Sequence, residues 1–229
     1  MSLQIHRLKS EQRGFTIIEL LIATSVLSVI LLLVTVMITN IGNLYYKGTT
    51  QAQVQDTTRS IVDQLVQDLQ FSDGTPSIPD SSLPSSSNID TSTVPGKTLY
   101  ALCVGTTRYS YVLDQQIETD MLHVLWRDAI GSGSACSPVN LSTTPPSGYE
   151  LMGPRSRLTS FRIKSTSPAL YSVMVSVAYG ENDLFKGADT SDLLGGSDAN
   201  VTCASGTGNQ FCATDRLATS AVRRVNGSF

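Results

Sequence analysis

Arg13 to Val34 reads RGFTIIELLIATSVLSVILLLV, an apolar stretch with one carboxylate, Glu19, close to its start. From Leu20 to Tyr46 no residue carries a charge, and those 27 residues make about 40 Å of helix at ~1.5 Å each. About 20 apolar residues cross a bilayer core, so the stretch is long enough to span. A carboxylate costs about 2–3 kcal/mol at mid-membrane and less near a positive helix end, so Glu19 needs a reason to be there.

Working outward, Arg7, Lys9 and Arg13 stand ahead of the run against Glu11. The bias of cationic residues toward the cytoplasm predicts that this end stays inside and that residues after Tyr46 lie outside. A secretory signal peptide needs a short apolar core followed by a small-residue cleavage site. Here the run is too long, and the small residue, Gly14, precedes it. A plain signal-anchor fits the charges and leaves Glu19 unexplained.

Gly14-Phe15-Thr16-Ile17-Ile18-Glu19-Leu20-Leu21 resembles the class III signal of type IV pilins and type II secretion pseudopilins. The resemblance implies cleavage between Gly14 and Phe15 by a membrane-embedded prepilin peptidase, then N-methylation of Phe15. It makes Glu19 the fifth mature residue, a position the family gives to glutamate. Cleavage would leave a positive amine on Phe15, and Glu19 could neutralise the amine of a neighbouring subunit in a filament core, setting helix register. Pairing within its own chain is the alternative, since Glu19 lies at i+4 from Phe15. Further partners implied are other pilin or pseudopilin subunits and an inner-membrane assembly platform with its own ATPase. Loss of Arg7, Lys9, Glu11 and Arg13 would take the net charge from −3 to −5.

After the span, Ile41, Leu44, Tyr45, Ala52, Val54, Ile61, Val62, Leu65 and Leu69 recur at helical steps between polar residues. This predicts an amphipathic continuation packed on the protein's own sheet. Gly74 and Pro76 mark its end. Residues 72–97, with four prolines among many serines, read as a linker or surface loop that could carry O-linked sugar. From Thr98 the pattern turns to strands: TLYALCVG and TRYSYVLDQ as a hairpin, then MLHVLWRDAI, LTSFRIKS, ALYSVMVSVAYG and a last strand in FCATDRLATSAVRRV. The expected fold class is α+β, one long N-terminal helix packed on a C-terminal antiparallel β domain. The expected division is a 1–14 leader, a 15–71 helix (15–46 in the membrane or filament core, 47–71 amphipathic), the 72–97 linker and a 98–229 globular domain.

The element order loosely resembles W-type minor pilins and J-type minor pseudopilins. Val36 stands where major pilins commonly carry proline, and the globular part is large; both departures favour a minor subunit. A tethered surface module that never polymerises is the competing reading.

Four cysteines lie after the span, in no C-x-x-C pair. Outside the cytoplasm they read as two disulfides, Cys203 with Cys212 and Cys103 with Cys136 favoured among three pairings; four buried thiols are the alternative. Charged residues make up 15% of the chain, against ~25% for soluble domains, with no Lys/Arg cluster to neutralise nucleic-acid phosphates. Catalytic constellations are missing: beyond the leader the only histidine is His123, GSGSACS lacks the nucleophile-elbow spacing, and there is no phosphate-binding P-loop. The acidic stretch after Gly180 offers Asp183, Asp189 and Asp192 as calcium candidates, but the EF-hand spacing is absent and a solvated loop is the preferred reading. Trp126 reads as a core residue of the sheet rather than a partner anchor.

Overall fold

The computed structural model describes residues 14–72, 76–77, 89–90, 98–113, 125–139, 148–153, 155–167, 169–186 and 201–224. Among the described residues one α-helix, α1, runs from Ile17 to Phe71, and ten strands follow it. The architecture is α+β, with antiparallel pairing in every sheet. The chain divides into two compact units, residues up to Leu44 and Tyr45–Phe229.

The first unit contributes the opening stretch of α1, whose large apolar side chains are exposed from Ile17 onward. A helix apolar all round suits lipid or other helices rather than water. Its hydroxyls are satisfied within the helix: Thr24, Ser25, Ser28, Thr35 and Thr39 donate to carbonyls three or four residues back. Such bonding removes the cost of carrying hydroxyls through a medium without water.

In the second unit α1 becomes one-sided. Thr50, Val54, Thr58, Ile61, Val62, Leu65 and Leu69 are buried, a stripe of helical period. Ile41, Leu44 and Tyr45, expected on that stripe, are exposed, as is Ala52. Two threonines hold stripe positions instead. Thr50 and Thr58 donate to the Tyr46 and Val54 carbonyls at 2.8 Å, which lets a hydroxyl be buried at low cost.

β1 (Ile89–Asp90), β2 (Leu99–Val104), β3 (Thr107–Tyr111), β4 (Leu125–Ala129) and β5 (Gly148–Glu150) form a five-stranded meander in that order. Val104 pairs with Thr107 across a two-residue turn whose first residue, Gly105, has φ 61°, the left-handed setting such hairpins reserve for glycine. β1 and Ser77, both inside the stretch expected to be a linker, pair with β2. β6 (Ser156–Ser167), β7 (Leu170–Tyr179) and β10 (Ala213–Val222) form a second sheet ordered β10-β7-β6. Leu158 and Phe161 are three residues apart and would alternate to opposite faces. A register shift between Leu158 and Ser160 restores both to the core. β8 (Phe185–Lys186) and β9 (Thr202–Cys203) make a small third sheet.

The main core joins the α1 stripe to Tyr100, Leu102, Val104, Tyr109, Tyr111 and Leu125 of the meander and to Leu158, Phe161, Val173 and Val175 of the second sheet. β10 runs in the same direction as the helix beside it. The Gln51 amide donates to the Thr214 carbonyl at 3.5 Å, and Arg224 N–H to the Gln70 carbonyl at 3.0 Å. Nineteen helical steps cover about 28 Å and ten strand steps about 33 Å, so the two elements keep pace.

Candidate functional site

The segment singled out by the sequence sits at the start of α1. Gly14 and Phe15 precede the helix and are exposed, Phe15 by 83%. A Cβ on Gly14 would meet nothing within 4 Å, so no packing inside the chain demands glycine there. Thr16 caps the helix reciprocally with Glu19. Thr16 N–H and its hydroxyl donate to Glu19 Oε2 at 3.1 and 2.9 Å, and Glu19 N–H donates to Thr16 Oγ1 at 3.3 Å. This Thr-x-x-Glu arrangement is a capping box. It was legible in the spacing but hidden behind the question of what Glu19 does for a neighbour. Glu19 thus closes its own helix end, where the positive end of the helix dipole favours a carboxylate. Both side-chain bonds fall on Oε2.

The second unit holds a polar seam that sequence reasoning missed. Asp68, on α1, accepts from Arg127 of β4 in fork geometry, Nη2 to Oδ1 at 2.9 Å and Nε to Oδ2 at 3.1 Å. The buried Tyr109 hydroxyl also donates to Asp68 Oδ2, at 2.5 Å. Burial, reinforced by the Asp68 charge, pushes the Tyr109 phenol well above its ordinary range, and the bond to Asp68 raises Arg127 as well. Tyr149 receives the Gln64 amide and lies 5.9 Å from the Arg127 guanidinium carbon. Asp68 and Arg127 are 59 residues apart; nothing local signals the pair. Its effect is to fix the helix on the meander by directional bonds, where apolar packing alone would allow sliding.

The other face of the meander is roofed by residues 130–139. Cys103 and Cys136 form a disulfide with Cα atoms 5.9 Å apart, and Cys203 and Cys212 form another at 5.7 Å. Beneath the roof, Arg108 pairs with the buried Asp128 and donates to the Ser137 carbonyl at 2.9 Å. Val139 N–H donates to Ser110 Oγ at 2.9 Å. Trp126 is buried in a cluster with Leu99, Val112 and Val139. Gly148 lies against it so closely that a Cβ would come within 2.5 Å of the indole nitrogen.

Asp183 sits exposed on the 3-10 turn Asn182–Leu184; Asp189, Asp192 and His123 lie outside the described residues. Among the described residues no group of three His, Cys, Asp or Glu side chains is placed to hold a metal.

A family model for the prokaryotic N-terminal methylation motif matches residues 9–35. No curated protein and no solved structure matches the chain. α1 is long and apolar enough to cross a membrane, and the matched residues contain the capped glutamate at its start. The chain therefore carries a prokaryotic N-terminal methylation motif, which supports a type IV pilin- or pseudopilin-like precursor.

Proposed function

We propose that the protein is a minor pilin or pseudopilin, stored in the cytoplasmic membrane and built into a type IV pilus-like or type II secretion filament. The observation that carries this reading is the match to the methylation motif over residues 9–35, whose segment places one carboxylate at the head of an otherwise apolar, exposed helix. The prepilin peptidase cuts between Gly14 and Phe15 and methylates Phe15. The new terminus puts a positive amine one helical turn before Glu19. With Oε2 occupied by Thr16, Oε1 is left to accept from a cation, and in the assembled filament that cation is the amine of a neighbour. A wrongly placed subunit would leave one buried charge unpaired, so the pair sets the register of addition.

The outer surface of the span exchanges lipid for neighbouring helices, two media of similar polarity. Moving a subunit between membrane and filament then changes little hydrophobic free energy, and an ATPase-driven platform can work the step in either direction. The disulfides suit residence beyond the cytoplasm.

The test is the mass of the N-terminal peptide of the protein taken from cells, together with Glu19→Ala. Methylated Phe15 at the terminus is expected, and E19A should be cleaved normally yet be lost from sheared filaments. An intact leader would replace this reading with a tethered surface module. Normal incorporation of E19A would remove the pairing role alone.

A further inference from the structure

Phe211 is a large apolar side chain left 46% exposed by the fold. It ends the 3-10 turn Asn209–Phe211, and its ring lies 5.5 Å from that of Tyr46. Tyr46 in turn touches Tyr45 edge-on at 6.0 Å, and both tyrosines are more than half exposed. These tyrosines close the uncharged run, and Lys47, also exposed, follows at once. Three aromatic rings from opposite ends of the sequence thus gather where the apolar run stops.

The mount that holds Phe211 is firm and neutral. The Cys203–Cys212 disulfide closes the loop. Thr50 Oγ1 donates to the Gln210 carbonyl at 3.3 Å, and Phe211 N–H to the Gly208 carbonyl at 2.9 Å. From Val201 to Cys212 the sequence VTCASGTGNQFC has no charged residue, in a chain of net charge −3. A surface meant for water alone has no need to combine an exposed ring with a stretch free of charge. One meant for the boundary between headgroups and acyl chains does: aromatic rings favour that layer, and a charge-free loop can approach it without losing ionic hydration.

We propose that Tyr45, Tyr46 and Phe211 form an aromatic foot that rests in the headgroup layer of the bilayer while the chain is membrane-stored. This rests on the anchored reading above. The occupant is the lipid surface. The Lys47 ammonium reaches outward to lipid phosphates along its flexible stem. The disulfide-closed loop presents Phe211 already ordered, so little conformational freedom is lost when the ring is seated. The foot fixes the depth at which the span waits, and extraction into a filament lifts it out.

The test uses the full chain in phosphatidylethanolamine/phosphatidylglycerol nanodiscs. Phe211→Trp reports on the foot and Leu32→Trp on the span, each read against the parent protein with its single Trp126. Lipids brominated at the upper acyl positions should quench the added F211W emission more than deep-brominated lipids do, as expected for a ring at the interface, while deep-brominated lipids quench L32W. If L32W is quenched and F211W responds only to aqueous iodide, the foot is wrong and the anchor stands. If neither is quenched by lipid, the anchored reading fails and the foot falls with it.

Discussion

The two stretches of α1 share one backbone and one helical period, yet they solve different solvent problems. Ile17–Leu44 exposes apolar side chains all round and turns each serine and threonine hydroxyl back on its own carbonyls. Tyr45–Phe71 buries one stripe, leaves charges on the other side, and ties Asp68 to Arg127 and Tyr109. The first stretch carries its only charged group at the helix start, satisfied by Thr16. The second carries its key charge near the helix end, satisfied by a strand 59 residues away. In the first, interactions are local and leave the outer surface available to whatever surrounds it. In the second, they are long-range and specify one partner surface.

The contrast can be broken most sharply at Gly14. Gly14→Phe should abolish processing although a Cβ at that position meets nothing within 4 Å; a mature mass unchanged from the parent would place the cut elsewhere. Next come paired leucines. Leu65 is fully buried and Leu32 is 64% exposed. Leu65→Ala should cost the second unit about 3 kcal/mol, and Leu32→Ala should stay within about 0.5 kcal/mol. Chemical denaturation of the full chain in detergent measures both; equal costs would erase the distinction between the two stretches.

Asp68→Ala leaves Arg127 without its fork partner and the Tyr109 hydroxyl buried without an acceptor, with an expected loss of about 2–3 kcal/mol. Asp68→Asn, which keeps an acceptor for Tyr109, should lose less, and identical losses would show that the seam is packing rather than bonding. Alkali attacks the same region. Burial holds the Tyr109 and Tyr111 phenols above their ordinary range, so above pH ~10 the unfolded chain releases protons that the fold retains. Stability should therefore fall as pH rises, by about 1 kcal/mol per tyrosine per pH unit. A flat profile between pH 10 and 11 would contradict their burial. At the helix start the effect is local rather than global: Thr16→Ala should cost about 1 kcal/mol of local helix stability, read as faster amide exchange confined to the first turn.

Much of this was open to a reader of residues alone. The span, its lone glutamate and the strand runs from Thr98 show themselves through hydropathy and alternation, which are local signals. The pairing of Cys103 with Cys136 and Cys203 with Cys212 was one of three choices, and the structure forms that pair of bridges. Thr50 and Thr58 escaped because a threonine reads as polar until its hydroxyl is known to bond within the helix. Asp68 and Arg127 escaped because each looks like an ordinary solvated charge on its own element. Ile41, Leu44 and Tyr45 fit the apolar period, but periodicity cannot say where the folded sheet begins to cover a helix.

By itself the sequence determined that residues 9–35 carry a methylation-type motif, that an uncharged helix runs on from it, and that strands come after the helix. These depend on side-chain chemistry counted along the chain. Only the tertiary structure decided where along the helix burial begins and that Thr50 and Thr58 join the buried face, which carboxylate meets Arg127, how β1 and Ser77 join β2, and that Phe211 lies against Tyr46. Those outcomes depend on distances through space between residues far apart in sequence, and no local pattern encodes them.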